Sequence, residues 1–281
     1  MKLGQEVNAL LSELATHNQA IASKSIIKKI GFRVGPSGVH IGRTIMLDEL
    51  RTLLSCVPSP DAQREDYIKA IVENNCLGKR SQKNRELSAR HLMTLYSLDS
   101  SVATFQALRY FWIRDVCSQP RIALLSAYSR DGLLRMSAPY VLSLKEGEVL
   151  DRAAFKEFLD KKASGRLSGF CLEGLVRNVC GTLIRSGHLH RAGKARSKAV
   201  ATEGSVSYAL FLGYLCGARG EALFSTEFAK LLDCSSARMI ELAEEASRRG
   251  WINFKRIGNV MEVQFTNLLT AQEREWIHEQ N

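Results

Sequence analysis

Proline is scarce in this sequence, with 5 in 281 residues, and there is no low-complexity tract. That excludes an extended disordered chain. No run approaches the roughly 18 apolar residues that a spanning helix needs. The opening stretch MKLGQEVNALLSEL carries acids and no continuous apolar segment, so it does not read as a signal peptide. The 7 cysteines, at 56, 76, 117, 171, 180, 216 and 234, are odd in number and form no C-x-x-C. A disulfide framework and the ligand spacing of a zinc site are both missing. Cys76, Cys117, Cys180 and Cys216 lie inside apolar runs and are expected to be buried, reduced thiols. These absences together predict a cytoplasmic protein with no membrane partner and no metal.

Catalytic signatures are also missing. There is no H-E-x-x-H, no G-x-S-x-G and no kinase set, and the carboxylates are scattered over helices. VGPSGVHIG (34–42) lacks the residue order of a phosphate loop, and His40 within it reads as a packing residue. The expectation is a non-enzyme with no catalytic residue, no cofactor and no small-molecule substrate.

One further absence points toward a partner. LIRSGHLHRAGKARSKAVAT (183–202) contains no Asp or Glu, and the nearest acids are Glu173 and Glu203. Folded surfaces normally mix both signs. A one-sign stretch repels itself unless something negative meets it. The whole chain has formal net charge +10. That balance favours encounter with polyanions, nucleic acid above all.

Hydrophobic residues make up 45% of the chain, enough for a buried core. Apolar spacing predicts helices over 5–30, 45–57, 61–78 (capped by Asp61), a segment starting at Ser81, 100–117, 120–131, 150–163 (capped by Asp151), 167–187 and 205–220. Pro139 is expected to end any helix it meets. STEFAKLLDCSSARMIELAEEASRRGWINFKRIGNVMEVQF (225–265) reads as helix, turn, helix and β-hairpin. Ser235 would cap its second helix, Met239, Leu242, Ala243 and Ala246 would form the inner face, and Gly258-Asn259 would turn the hairpin. This is a winged-helix pattern, and REWIHEQN closes the chain as a tail helix. A second such pattern is expected earlier, with 188–191 and 194–200 as strands of a basic wing, the alternative being a linker. The expected class is mostly α, multi-helical, with winged helix-turn-helix regions carrying small β-hairpin wings. The expected division is a helical domain over 1–145, a helix pair with basic wing or linker over 146–203, and a winged-helix domain over 204–281.

Three patches could meet phosphates. The first is Arg185, His188, His190, Arg191, Lys194, Arg196 and Lys198 on the basic segment. The second is Lys79, Arg80, Lys83 and Arg85 at a helix start, where free backbone N–H groups attract anions. The third is Arg238, Lys255 and Arg256 on the last helix and hairpin. The last helix also carries Glu241, Glu244 and Glu245 outward, which repel phosphate and suit protein contacts equally well.

IVENNCLGKRSQKNRELSARHLMTLY (71–96), SGHLHRAGKARSK (186–198) and LFLGYLCGARGEALFSTEFAKLLD (210–233) carry a resemblance. The chain resembles the BrxA proteins of bacteriophage-exclusion (BREX) defence islands, with a long extension after 204. The resemblance implies an all-helical fold with winged-helix character. It also implies an antiviral accessory protein that binds double-stranded DNA beside a methyltransferase and an ATPase of the same system. An adaptor docking onto such a partner, or a winged-helix transcriptional repressor, are the alternatives.

Overall fold

The structure, a computed structural model, describes residues 30–258 and 260–269. The helix expected over 5–30, save Ile30, lies outside the described residues, as do Asn259 and the tail helix. The chain is mostly helical, with one small antiparallel sheet among the described residues. The α-helices are α1 (Leu47–Cys56), α2 (Arg64–Val72), α3 (Gln82–Tyr96), α4 (Ala103–Arg114), α5 (Gln119–Arg130), α6 (Gly132–Leu142), α7 (Arg152–Ala163), α8 (Gly169–Arg185), α9 (Glu203–Leu215), α10 (Glu227–Leu231) and α11 (Ser236–Arg248). Strands β1 (Asn253–Ile257) and β2 (Val260–Gln264) follow. None of the described helices is long and apolar enough to cross a membrane.

Local chemistry sets the helix starts. Asp151 accepts from the N–H groups of Ala153 and Ala154, Ser168 from Cys171, and Ser235 from Arg238. Each fills donors that the first turn leaves without a partner. Two sequence expectations shift. α2 begins at Arg64, not Asp61, because Gln63 and Asp66 form a reciprocal cap, and it ends at Val72, well before Gly78. Pro139 lies inside α6, which runs on to Leu142. A proline in the last turn removes one backbone bond but leaves the helix only a few residues to hold.

The chain forms two compact units that alternate along the sequence. Among the described residues, unit one holds 30–34, 102–122 and 201–269, and unit two holds 35–101 and 123–200. Residues 102–122 thus group with the C-terminal region.

Unit one is built around α9, whose Val206, Tyr208, Leu210, Phe211 and Leu212 are all buried. α4 supplies Phe105 and Phe111, and Phe265 meets Phe211 edge-on at 5.2 Å. The inner face of α11 is Met239, Leu242, Ala243 and Ala246, as the spacing predicts. In the hairpin Phe254 pairs with Val263 and Ile257 with Val260.

Unit two has its own core, with Tyr67, Tyr96, Leu50, Leu53, Leu92 and Phe155 fully buried. Residues 38–45 lie as a strap across α8. Asn178 donates to the carbonyls of His40 and Ile41 at 2.9 Å each. A Cβ at Gly174 would come within 2.6 Å of the Ile41 carbonyl oxygen, so the strap needs glycine there. His40 is held between Asp131 and Thr182, and none of the three is exposed.

The two units share a similar order of helices, followed in each by antiparallel pairing. In unit two it is α6, an extended stretch at 147–150, α7, α8 and a pair of antiparallel segments at 188–197. In unit one it is α9, a short 3-10 turn at Gly220–Ser225, α10, α11 and the β1–β2 hairpin.

Candidate nucleic-acid interface

Residues 188–197 of the basic segment pair with each other. Leu189 bridges Arg196, the His190 N–H donates to the Ala195 carbonyl at 2.9 Å, and the Ser197 N–H donates to the His188 carbonyl at 3.0 Å. Val149 bridges Ala195 on the other side, and the Arg196 N–H donates to the Glu148 carbonyl at 2.8 Å. The reversal uses Gly193 (φ 66°) followed by Lys194 (φ 52°).

This pairing sorts the expected cations. His190, Arg191 and Lys198 are exposed and Lys194 is half-buried. His188 and Arg196 are 0% and 3% exposed, which corrects their assignment to a phosphate-facing surface. His188 Nδ1 lies 2.9 Å from the Ser186 hydroxyl, and the Arg196 guanidinium donates to the His188 and Ser197 carbonyls. These two residues build the hairpin; they do not present it.

Carboxylates reach the acid-free run from elsewhere in unit two. Glu146 lies 3.8 Å from Lys198, and Asp48 lies 4.0 Å from Arg185. Both contacts are exposed and weak.

Other cations join the hairpin. Arg152 and Lys156 of α7 and Arg177 of α8 surround Glu173, and together they hold its carboxyl below the ordinary range. The largest part comes from Lys156, whose Nζ donates to Glu173 at 2.6 Å. On the same helix as Glu173, the Cys180 thiol is pushed up by burial and pulled back by the charges of Lys194 and Arg152. Arg152, Lys156 and Arg177 therefore act from two helices on one carboxylate, and Lys194 and Arg152 act on Cys180 further along α8. The sequence reading missed Arg152, Lys156 and Arg177, which are separated along the chain by Glu157, Asp160 and Glu173.

α8 shows solvent a narrow stripe. Phe170, Glu173, Arg177 and Arg185 are exposed at helical spacing. The core takes Leu172, Leu175, Val176, Val179 and Leu183, and the strap takes Gly174, Asn178 and Thr182.

The helix-start patch is divided. Arg80 and Lys83 are exposed. Lys79 pairs with Glu49 at 3.1 Å, and half-buried Arg85 donates to the carbonyls of Lys79 and Val72, closing the end of α2. In unit one Lys255 and Arg256 are exposed on β1. Arg238 is paired with Glu241 at 2.7 Å. Arg248 pairs with Glu245, and Arg249 with Glu245 and Glu203. The outward face of α11 is thus an ion-pair lattice with Glu244 added. It borders a cavity of about 350 Å³ lined by Glu203, Arg238, Glu241, Leu242, Glu244, Glu245 and Arg248.

Thr182, His40 and Asp131 line up as hydroxyl, imidazole and carboxylate. Thr182 Oγ1 already accepts from the Ile45 N–H at 3.1 Å, and no member reaches solvent. Of the cysteines, Cys180 is buried as expected, whereas Cys117 and Cys216 are exposed and Cys76 is half-buried. Scanned against family models the chain matches none, and a search of curated proteins returns no match.

Proposed function

We propose that this chain is a non-enzymatic protein that binds double-stranded DNA, mainly through the phosphate backbone. The observation that carries the reading is the set of cations Lys156, Arg152 and Arg177 acting on Glu173 from two helices, together with exposed His190, Arg191 and Lys198 on the paired basic segment. We read both repeated modules as winged helices, with α8 and α11 as the helices that would face a groove. In that reading the unit-two module leads, because its wing and helix stripe are cationic, while the α11 face carries neutralising glutamates. Phosphate contacts position a protein on duplex without reading sequence. The BREX-type defence setting, and work beside a methyltransferase and an ATPase, rest on the resemblance of 71–96, 186–198 and 210–233.

The test is fluorescence anisotropy with a labelled random-sequence duplex at several salt concentrations. Binding whose log affinity falls steeply with log salt supports the reading. Absence of binding at low salt defeats it.

The ion-pair lattice on α11 favours a second reading for unit one, a docking face for a cationic protein partner of the same system. Charge reversal at Glu241 and Glu244 would abolish partner capture in that reading and leave duplex affinity intact.

A further inference from the structure

Phe170 is 86% exposed, the most exposed of the large hydrophobic side chains described. Single exposed apolar residues are ordinary on protein surfaces. This one differs in its place. It lies in the first turn of α8, on the same stripe as Glu173 and Arg177, with Arg152 and Lys156 close to Glu173. An aromatic ring is therefore exposed at the N-terminal end of a helix whose own stripe and neighbouring helix carry these cations.

We infer that Phe170 is a base-contacting residue that packs its ring on thymine 5-methyl groups in the major groove; the inference rests on the DNA-binding reading above. A helix fits the major groove, and its N-terminal residues are those that reach base edges in helix-turn-helix docking. The apolar feature on that edge is the thymine methyl, and a phenylalanine can contact it without leaving a buried polar group unpaired. Wedges that pry base steps apart act from the minor groove, which is too narrow for a helix. The nearby cations suit flanking phosphates: Arg177 lies about two turns along the stripe, and Arg152 stands on the neighbouring helix. Lys156 holds Glu173 at 2.6 Å, so the one acid on the stripe is neutralised where the backbone would approach.

The experiment compares a labelled duplex of alternating A·T steps with its counterpart in which deoxyuridine replaces every thymidine, using the full chain and Phe170→Ala. The wild type should bind the thymine duplex about fourfold more tightly for each methyl contacted, the value of one buried methyl group. Phe170→Ala should bind both duplexes equally, near the wild-type affinity for the deoxyuridine duplex. Circular dichroism should show an unchanged melting temperature, since the ring is exposed. Equal wild-type affinity for both duplexes, or a thymine preference that survives in Phe170→Ala, overturns the inference while leaving backbone binding intact. A preference for single-stranded DNA that vanishes in Phe170→Ala also overturns it, since the ring would then be stacking on unpaired bases. Failure to bind either duplex at low salt defeats the DNA-binding reading itself.

Discussion

Asp131 and His40 meet at 2.8 Å, 91 residues apart in sequence, with both side chains fully shielded from solvent. The same carboxylate oxygen accepts the Val39 N–H at 2.6 Å, and the other accepts those of Leu133 and Leu134 at 3.0 Å. One side chain therefore caps α6 and holds the strap that crosses α8. A carboxylate can only accept, so His40 Nδ1 carries the proton and Nε2 faces the Thr182 hydroxyl at 3.0 Å. The strap that narrows the exposed stripe of α8 depends on this arrangement.

Acid should therefore loosen unit two through Asp131. Burial pushes its carboxyl up, but the charge and hydrogen bond of His40, with the N–H groups of Leu134 and Val39, outweigh burial and hold it below the ordinary aspartate value. In the pH interval between the folded and unfolded values the unfolded chain binds more protons, so stability rises with pH. The contribution is complete above the ordinary aspartate value of about 4 and is lost as pH falls below it. Urea midpoints measured from pH 7 to pH 3 should drop for the wild type. Asp131→Asn should start lower and fall less over the acid interval. Parallel curves for the two proteins would contradict this role.

Gly132 is fixed by the segment that leads into the strap. A Cβ there would stand 1.9 Å from the Gly35 carbonyl oxygen, which is backbone and cannot rotate away. Gly132→Ala should destabilise by about 1–3 kcal/mol, the usual range for forcing extra volume into a packed site. Equilibrium urea unfolding measures it, and an unchanged midpoint would show that the segment at Gly35 is loosely packed on α6.

Cap residues and the C-terminal hairpin were legible in the sequence because their signals are local. Asp151 and Ser235 sit just ahead of periodic apolar runs, and Gly258 follows an alternating strand. The strap was not legible, because it joins His40, Asp131 and Thr182 from three distant segments. The burial of Arg196 had a faint signal. Opposite residues in an antiparallel pair share a face, and Arg196 lies opposite Leu189, an apolar residue in a polar run. Placing Leu189 inside takes Arg196 with it. Arg152, Lys156 and Arg177 left no such trace, since only the packing of α7 against α8 brings them together.

Thiol reactivity should separate the cysteines. Cys76 is pushed up to about 11, first by burial and then by the neighbouring Cys56 thiol. At neutral pH it is almost wholly protonated, and the thiolate is the reactive form. Exposed Cys117 and Cys216 should label with iodoacetamide well before Cys76 at pH 7.5, and Cys76 should speed up as pH rises toward 10. Peptide mass mapping over time reads the order. Early labelling of Cys76 would place it outside the packed end of α2.

The basic hairpin should act through number of charges. Each Lys or Arg that neutralises a phosphate contributes about 0.9 to the slope of log affinity against log salt on duplex DNA. Arg191→Ala combined with Lys194→Ala and Lys198→Ala should flatten the slope by about 2 to 3, on all sequences alike, with the fold intact. Arg196→Ala is the contrasting variant. Its guanidinium holds the His188 and Ser197 carbonyls inside the hairpin, so its loss should lower the melting temperature. A flattened slope in Arg196→Ala with unchanged stability would mean that Arg196 turns outward to meet phosphate. An unchanged slope in the triple variant would move the DNA contact off the hairpin and onto the helices.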